Sequence, residues 1–175
     1  MIQFGRATSE ADLNQILDLQ RQNLPEHLSA EERVKEGFVT VSHTLNLLKV
    51  MHDVCPHIVA KSNESVIGYA LSMHPKFAGK IEVLWPMFDQ IEAIRPKVRN
   101  YIVMGQICIA KAYRGQGIFR QLYQTMQAAV QPEFERIITE VDVVNTRSLG
   151  AHYGVGFEDL ATYESGGHQW KLIVL

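Results

Sequence analysis

Two groups of residues in this chain could do chemistry. The first is the run Arg114-Gly115-Gln116-Gly117-Ile118-Phe119-Arg120. Its two glycines strip side chains from a turn that leads into an amphipathic stretch, and its two arginines add positive charge. The first amides of a helix have no internal partners and carry the positive end of its dipole. Bare backbone at that point accepts an anion, above all a phosphate or pyrophosphate. The run fits neither common nucleotide fingerprint. No Gly-Lys-Ser or Gly-Lys-Thr follows the first glycine, and Arg120 stands where a dinucleotide turn needs a third small residue. The second group is Glu140 and Asp142, in TEVDVVN. Two apart on a strand, they share one face. A carboxylate on a central strand is costly unless it is paired or used, and one use is to take a proton.

The elements that must position these residues follow from periodicity and punctuation. YIVMGQICIA, from Tyr101 to Ala110, is the longest β-like run and predicts a central strand, with IFRQLYQTMQAAV as the helix after it. ERIITEVDVVN predicts a second central strand and TRSLGAHYGVG a helix ending at glycine. Upstream, IQFGRAT predicts a first strand and SEADLNQILDLQRQNL a helix capped by Ser9. SAEERVKEGF is a shorter helix ended by Gly37, FVTVSHT a strand or extended loop, and TLNLLKVMHDV a helix stopped by Pro56. HIVAKSNESVIGYALSM has the pattern of a hairpin, as do FEDLATYE and HQWKLIVL about Ser165-Gly166-Gly167. Residues 75–98, with three prolines and several aromatics, read as a loop or lid. The order is α/β, with antiparallel hairpins early and late and one strand–helix–strand unit between.

The glycine-arginine turn resembles the acyl-CoA site of the GNAT family of N-acetyltransferases. That family's pattern is Gln or Arg, two residues, Gly, one residue, then Gly or Ala. Arg114, Gly117 and Phe119 take those positions, Phe119 in place of a small residue. ICIAKAYRG matches the family's apolar strand running into the turn. The later signature is met in TEVDVVNTRSLGAHYGVGFED at Asn145, Ser148, His152, Gly156 and Phe157. The likeness covers about residues 101–158. It implies one domain over 1–175, with a mixed, mostly antiparallel twisted sheet of about seven strands, flanked by helices, and a splayed central strand pair.

The resemblance also implies roles. Acetyl-CoA would be the co-substrate. Backbone of Ile107, Cys108 and Ile109 would pair with its pantetheine arm. Arg114 and the amides of Gly115, Gln116, Gly117, Ile118, Phe119 and Arg120 would surround its pyrophosphate, with Asn145 and Ser148 completing the site. Acetyl would pass by direct attack to a primary amine of a small molecule or peptide, the Ile109 amide stabilising the oxyanion. Glu140 stands where the branch acetylating ribosomal-protein N-termini has its base. His152 stands where many members carry an acidic tyrosine, and Tyr153, one residue later, is the other candidate acid. The alternative is a CoA-binding module without turnover, a reading that Phe119 and the histidine at 152 favour. Dimers are common in the family, so a homodimer is expected by analogy.

Composition bounds the rest. The 175 residues are 46% hydrophobic and 21% charged, which suits one globular domain with a core of its own. A net charge of -2, with no basic stripe, argues against a nucleic-acid partner. No apolar run reaches the length of a membrane span. Cys55 and Cys108 are in no paired spacing and the first residues lack a signal pattern, so a cytoplasmic location is expected. No metal is expected, because no His or Cys pair has ligand spacing beside a carboxylate. His43 and His74 are weaker candidates for a base. Phe77, Trp85 and Phe88, with Glu82, Asp89 and Glu92, could wall an acceptor pocket, although packing onto the core is their simpler role.

Overall fold

A computed structural model describes residues 1–94 and 98–175. Seven strands form one sheet in the order β1-β2-β3-β4-β5-β7-β6. These are β1 (Ile2–Arg6), β2 (Ile58–Ser62), β3 (Ser65–Met73), β4 (Tyr101–Ile109), β5 (Arg136–Asp142), β6 (Glu158–Ser165) and β7 (His168–Val174). Every neighbouring pair is antiparallel except β4 and β5. That exception has a cause in the chain: α5 (Ile118–Val130) connects the two, and a parallel pair needs such a crossover.

The remaining helices are α1 (Glu10–Arg21), α2 (Ala30–Glu36), α3 (Leu45–Val54), α4 (Trp85–Ala93) and α6 (Thr146–Val155). Side-chain caps fix the starts of most of them. The hydroxyls of Ser9 and Thr44 accept amides of Asp12 and Leu47, and Ser29 forms a reciprocal box with Glu32. On α5, Ile118, Leu122, Tyr123, Met126 and Val130 are buried along one helical face. Each such side chain contributes roughly 1.5–3 kcal/mol through burial. They join Ile102, Ile137, Val141 and Phe157 in the core on one face of the sheet. On the other face, α1 and α3 cover β2 and β3, while α4 and the turns before it cover β4, β5 and β7.

The expectation of a loop or lid over residues 75–98 needs correction. Phe77, Leu84, Met87 and Ile91 are buried with Val103, Ile138 and Leu172, so the segment is part of the core. Apolar positions at 84, 87, 88 and 91 have helical spacing, and Pro86 falls in the first turn of α4, where a missing amide hydrogen costs nothing. Phe77 is interior, and Trp85 is exposed on a flank that meets none of the cavities described below. Arg95, Pro96 and Lys97 of the same segment lie outside the described residues. FVTVSHT takes the extended-loop alternative, with no strand assigned between α2 and α3.

The feature that positions the site is an opening in the sheet. β4 and β5 pair only over Tyr101 to Val103, opposite Arg136 to Ile138, and then diverge. Against β3, Ala70 faces Ile107 and Ser72 faces Met104, so β4 carries one residue more than its partner across that interval. Such a bulge bends and over-twists the strand that holds it. Beyond it, β5 continues with β7 alone, with Glu140 opposite Leu172 and Asp142 opposite Trp170.

Candidate active site

Three cavities adjoin along the opening. The first, about 640 Å³, lies between the end of β4, the start of α5, the start of α6 and the loop after α2. Its walls include Ile107, Cys108, Ile109, Gly115, Gly117 and Phe119. A narrow passage of about 70 Å³ follows, sharing Phe38, Ile107, Asn145 and Ser148 with the first cavity. The third, about 690 Å³, shares Phe38, Thr40, Glu140, Asp142 and Trp170 with that passage. A ligand in the first cavity and one in the third would therefore meet at the passage.

The first cavity has the wall chemistry of an anion site. Gly115 and Gly117 are left-handed, at φ 73° and 77°, a region that side-chain-bearing residues avoid. A Cβ added at either would meet nothing within 4 Å, so the space before the turn is open. Among the described residues, the amides of 115 to 120 have no backbone acceptor, and Gly117 gives α5 no side-chain cap. At the strand, Ala110 donates its N–H to Ile67 of β3. The two-residue repeat turns the polar edges of Ile109 and Ile107 the other way, toward the opening. These features suit a ligand with a diphosphate and an amide-bearing arm, and coenzyme A thioesters have both.

The arginines of the turn have other partners. Arg114 donates from Nε to the Ile109 carbonyl at 3.0 Å, from Nη1 to Glu36 at 2.6 Å and from Nη2 to Asn23 at 2.7 Å. It ties the end of β4 to α2 and to the turn after α1, and its guanidinium holds the Glu36 carboxyl below its ordinary range. Arg120 donates to the Gly154 carbonyl at 2.6 Å, near the C-terminal end of α6. Arg114 borders the first cavity with these partners in place, and Arg147, exposed on the first turn of α6 and without an ion pair among the described residues, borders it as well. Sequence reading missed Arg147 because only the tertiary approach of α6 to α5 brings it there.

Asn145 caps α6. Its side-chain oxygen accepts the Ser148 amide at 3.2 Å, and its amide group donates to the Phe38 carbonyl at 3.3 Å. It thereby holds the loop after α2 against the opening. Gly37 is left-handed at φ 76°, and a Cβ there would come within 3.2 Å of the Asn145 oxygen. Deeper in, a buried network anchors the same loop. Gln20 donates to His43 and Gln106, Tyr69 donates to Gln106, and Gln106 donates to the Val41 carbonyl. No sequence signal announced this set, whose members come from α1, the loop, β3 and β4.

The candidate acids and bases separate clearly. Glu140 lines both the passage and the third cavity, and burial pushes its carboxyl up to about 7, against the Tyr163 hydroxyl donated to it. A group poised near neutrality is suited to taking a proton. Asp142 is buried, accepts the Val144 amide at 3.0 Å and pairs with His168 at 2.7 Å. His152 touches the passage, but both ring nitrogens are engaged: Nδ1 is 2.7 Å from the Ser148 carbonyl and Nε2 is 2.8 Å from the Tyr123 hydroxyl. Its ring packs among Phe119, Tyr123 and Phe157, and burial holds it at about 4, so it is neutral near pH 7. Tyr153 faces solvent, donates to Asp159 at 2.6 Å and lines none of the three cavities. Phe119 thus serves the aromatic packing around His152 as well as the turn.

Among the weaker candidates, His43 belongs to the buried network and His74 packs on Phe134. Cys108 is buried, and desolvation raises its thiol to about 12, so it is a poor nucleophile. Among the described residues, no group of three or more His, Cys, Asp or Glu could hold a metal, and no helix is long and apolar enough to cross a membrane.

Two stability predictions follow from the buried histidines. Burial holds His43 and His152 at about 4 and His57 at about 3, against about 6.5 in the unfolded chain. A lowered folded value means that this stability is complete above pH 6.5 and is lost as pH falls through 4. The unfolding free energy from urea titration should therefore fall between pH 6.5 and 4, by up to about 3 kcal/mol per histidine at the limit, and the urea midpoint with it. An unchanged midpoint over that range would show that these rings are accessible. His152→Ala removes two hydrogen bonds and a packed ring, and should lower unfolding free energy by about 2–4 kcal/mol in denaturant titration.

Comparison with known proteins agrees with this geometry. Solved structures that superpose over nearly the whole chain include the ribosomal-protein-S18-alanine N-acetyltransferase of Escherichia coli, at 10% identity and TM-score 0.66, covering 100% of this chain and 93% of the other. A chain of the NatC complex, bound to Gag peptide and CoA, aligns at 18% identity and TM-score 0.67, covering 99% and 97%. A Salmonella typhimurium protein assigned as an acetyltransferase, solved with its cofactor acetyl-CoA, aligns at 15% and TM-score 0.65, covering 99% and 92%. At such identities the likeness is one of fold. No curated protein sequence matches the chain. The family model for the acetyltransferase (GNAT) family matches residues 13–157, spanning the glycine-arginine turn, the opening between β4 and β5, and Glu140. By that match, the chain belongs to the GNAT family of acetyltransferases.

Proposed function

We propose that the protein transfers an acetyl group from acetyl-CoA to a primary amine by direct attack in a ternary complex. The observation that carries this is the row of three cavities that share wall residues, with Glu140 on the wall common to the passage and the third cavity. Acetyl-CoA would lie in the first cavity. Its diphosphate would meet the amides of residues 115–120, with Arg147 beside it, and its pantetheine arm would run along Ile107, Cys108 and Ile109 past Asn145 and Ser148. The thioester would then reach the passage, which Ile107 borders and Ile109 does not, so the outward-turned amide of Ile107 can donate to the developing oxyanion. The amine enters from the third cavity. Glu140 takes one proton from its ammonium form, the free nitrogen attacks the thioester carbonyl, and the C–S bond breaks. The second proton lost by nitrogen goes to the departing thiolate. This route needs no acid from His152 or Tyr153, consistent with their engagement elsewhere. Holding amine and thioester together supplies much of the rate.

A second reading, a module that binds coenzyme A without turnover, is equally compatible with the engagement of both His152 nitrogens. One assay separates the two. Calorimetry with acetyl-CoA, followed by thiol release with a panel of primary amines, should give binding and amine-dependent free CoA. Binding without thiol release across the panel would leave the module; no binding would remove both.

A further inference from the structure

The third cavity carries charge of both signs on separate walls, with apolar surface between. Glu140 and Asp142 come from β5 and also border the passage, which marks the end next to the thioester. Arg33, on α2, lines the third cavity only, so it lies on the portion away from the passage. Its guanidinium is exposed and has no ion pair or side-chain hydrogen bond among the described residues. Phe38, Val41, Leu84 and Trp170 supply apolar walls. Val83 and Val144 line it too, although they are 64% and 72% exposed and gain nothing from the core. Exposed aliphatics rimming a cavity are accounted for if an apolar ligand covers them.

Resting on the transferase reading above, we infer that the acceptor is a small zwitterion: a primary amine directed to Glu140, an apolar body between Phe38, Val83, Val144 and Trp170, and a carboxylate met by Arg33. The cavity, about 690 Å³, has the size of a site for one small molecule. Both charged walls border that one space, so both poles of the ligand are held inside it. A peptide would carry its carboxylate out of the cavity and leave Arg33 unanswered. A guanidinium meets a carboxylate with two parallel hydrogen bonds, which gives selectivity for the acid over its neutral derivatives.

The test uses acetyl-CoA-dependent thiol release with apolar α- and ω-amino acids, their primary amides, the matching amines without carboxylate, matched diamines and a tripeptide with the same first residue. The expected result is a kcat/KM for at least one acid about tenfold above its own amide, carried mainly by KM. Arg33→Gln should erase that ratio, and Arg33→Glu should turn it in favour of the diamines. The residue is on the exposed face of a short helix, so both variants should fold, with circular dichroism as the check. Amides turned over as well as their acids, a tripeptide faster than every small amine, or a ratio that survives in Arg33→Gln would overturn the inference and leave the transferase intact. The absence of thiol release with every amine tested would overturn the transferase reading, and this inference with it.

Discussion

Glu140→Gln should lower kcat about 10²–10⁴-fold while leaving acetyl-CoA affinity unchanged. Gln keeps the volume and can still accept the Tyr163 hydroxyl, but it cannot take a proton from an ammonium ion. The wild-type rate should rise with pH through about 7, because burial holds the carboxyl at that value and only its ionised form is a base. The variant should lose that limb of the profile. Stability should move in the opposite direction. A folded value raised above the ordinary 4.5 means that this group favours the fold at low pH, and that the contribution is lost as pH rises through about 7. At pH 8 the buried carboxylate opposes folding, and Gln should raise unfolding free energy by on the order of 2 kcal/mol. A more stable, nearly inactive variant is the signature of a functional rather than a structural carboxylate. An unchanged kcat would remove Glu140 from the chemistry.

Gly117→Asp should weaken acetyl-CoA binding about a hundredfold or more, measured by calorimetry. Three effects act together. The new carboxylate would point into the open space before the turn, where no protein atom lies within 4 Å, and would repel a diphosphate there. As an N-cap it would also compete for the amides of Phe119 and Arg120. The left-handed backbone, at φ 77°, adds roughly 1–2 kcal/mol of strain for any side chain. Gly117→Ala separates these, since it carries the strain without the charge and should lose much less affinity. The fold should survive both, because the substituted atoms meet no core. Retained affinity in the aspartate variant would place the diphosphate elsewhere.

The parts of this protein legible in its sequence are those set by neighbours along the chain. Gly115 and Gly117 before an amphipathic run announced a helix start with open amides, because backbone conformation and helix geometry are local properties. The alternation in TEVDVVN put Glu140 and Asp142 on one face whatever the fold around them. The element order and the likeness to a known family carried the sheet of about seven strands, and the structure has seven. Residues 75–98 were misread because their prolines looked like punctuation, when one opens a helix whose apolar side faces the core.

What tertiary structure alone decided is which side chains have partners. Arg114 and Arg120 looked like phosphate ligands beside the turn, but folding brings Glu36, Asn23 and the Gly154 carbonyl within their reach and adds Arg147 to the cavity wall. His152 and Tyr153 stand next to one another in sequence, yet one is sealed among aromatic rings and the other bonded to Asp159 in solvent. The third cavity has no sequence signature, since α2, the loop after it, residues 83 and 84, β5 and β7 each supply a few atoms. The physical reason is one of range: dihedral preference and helix dipoles act over a few residues, whereas burial, pairing and the proton affinity of a carboxyl depend on groups that only the folded chain brings together.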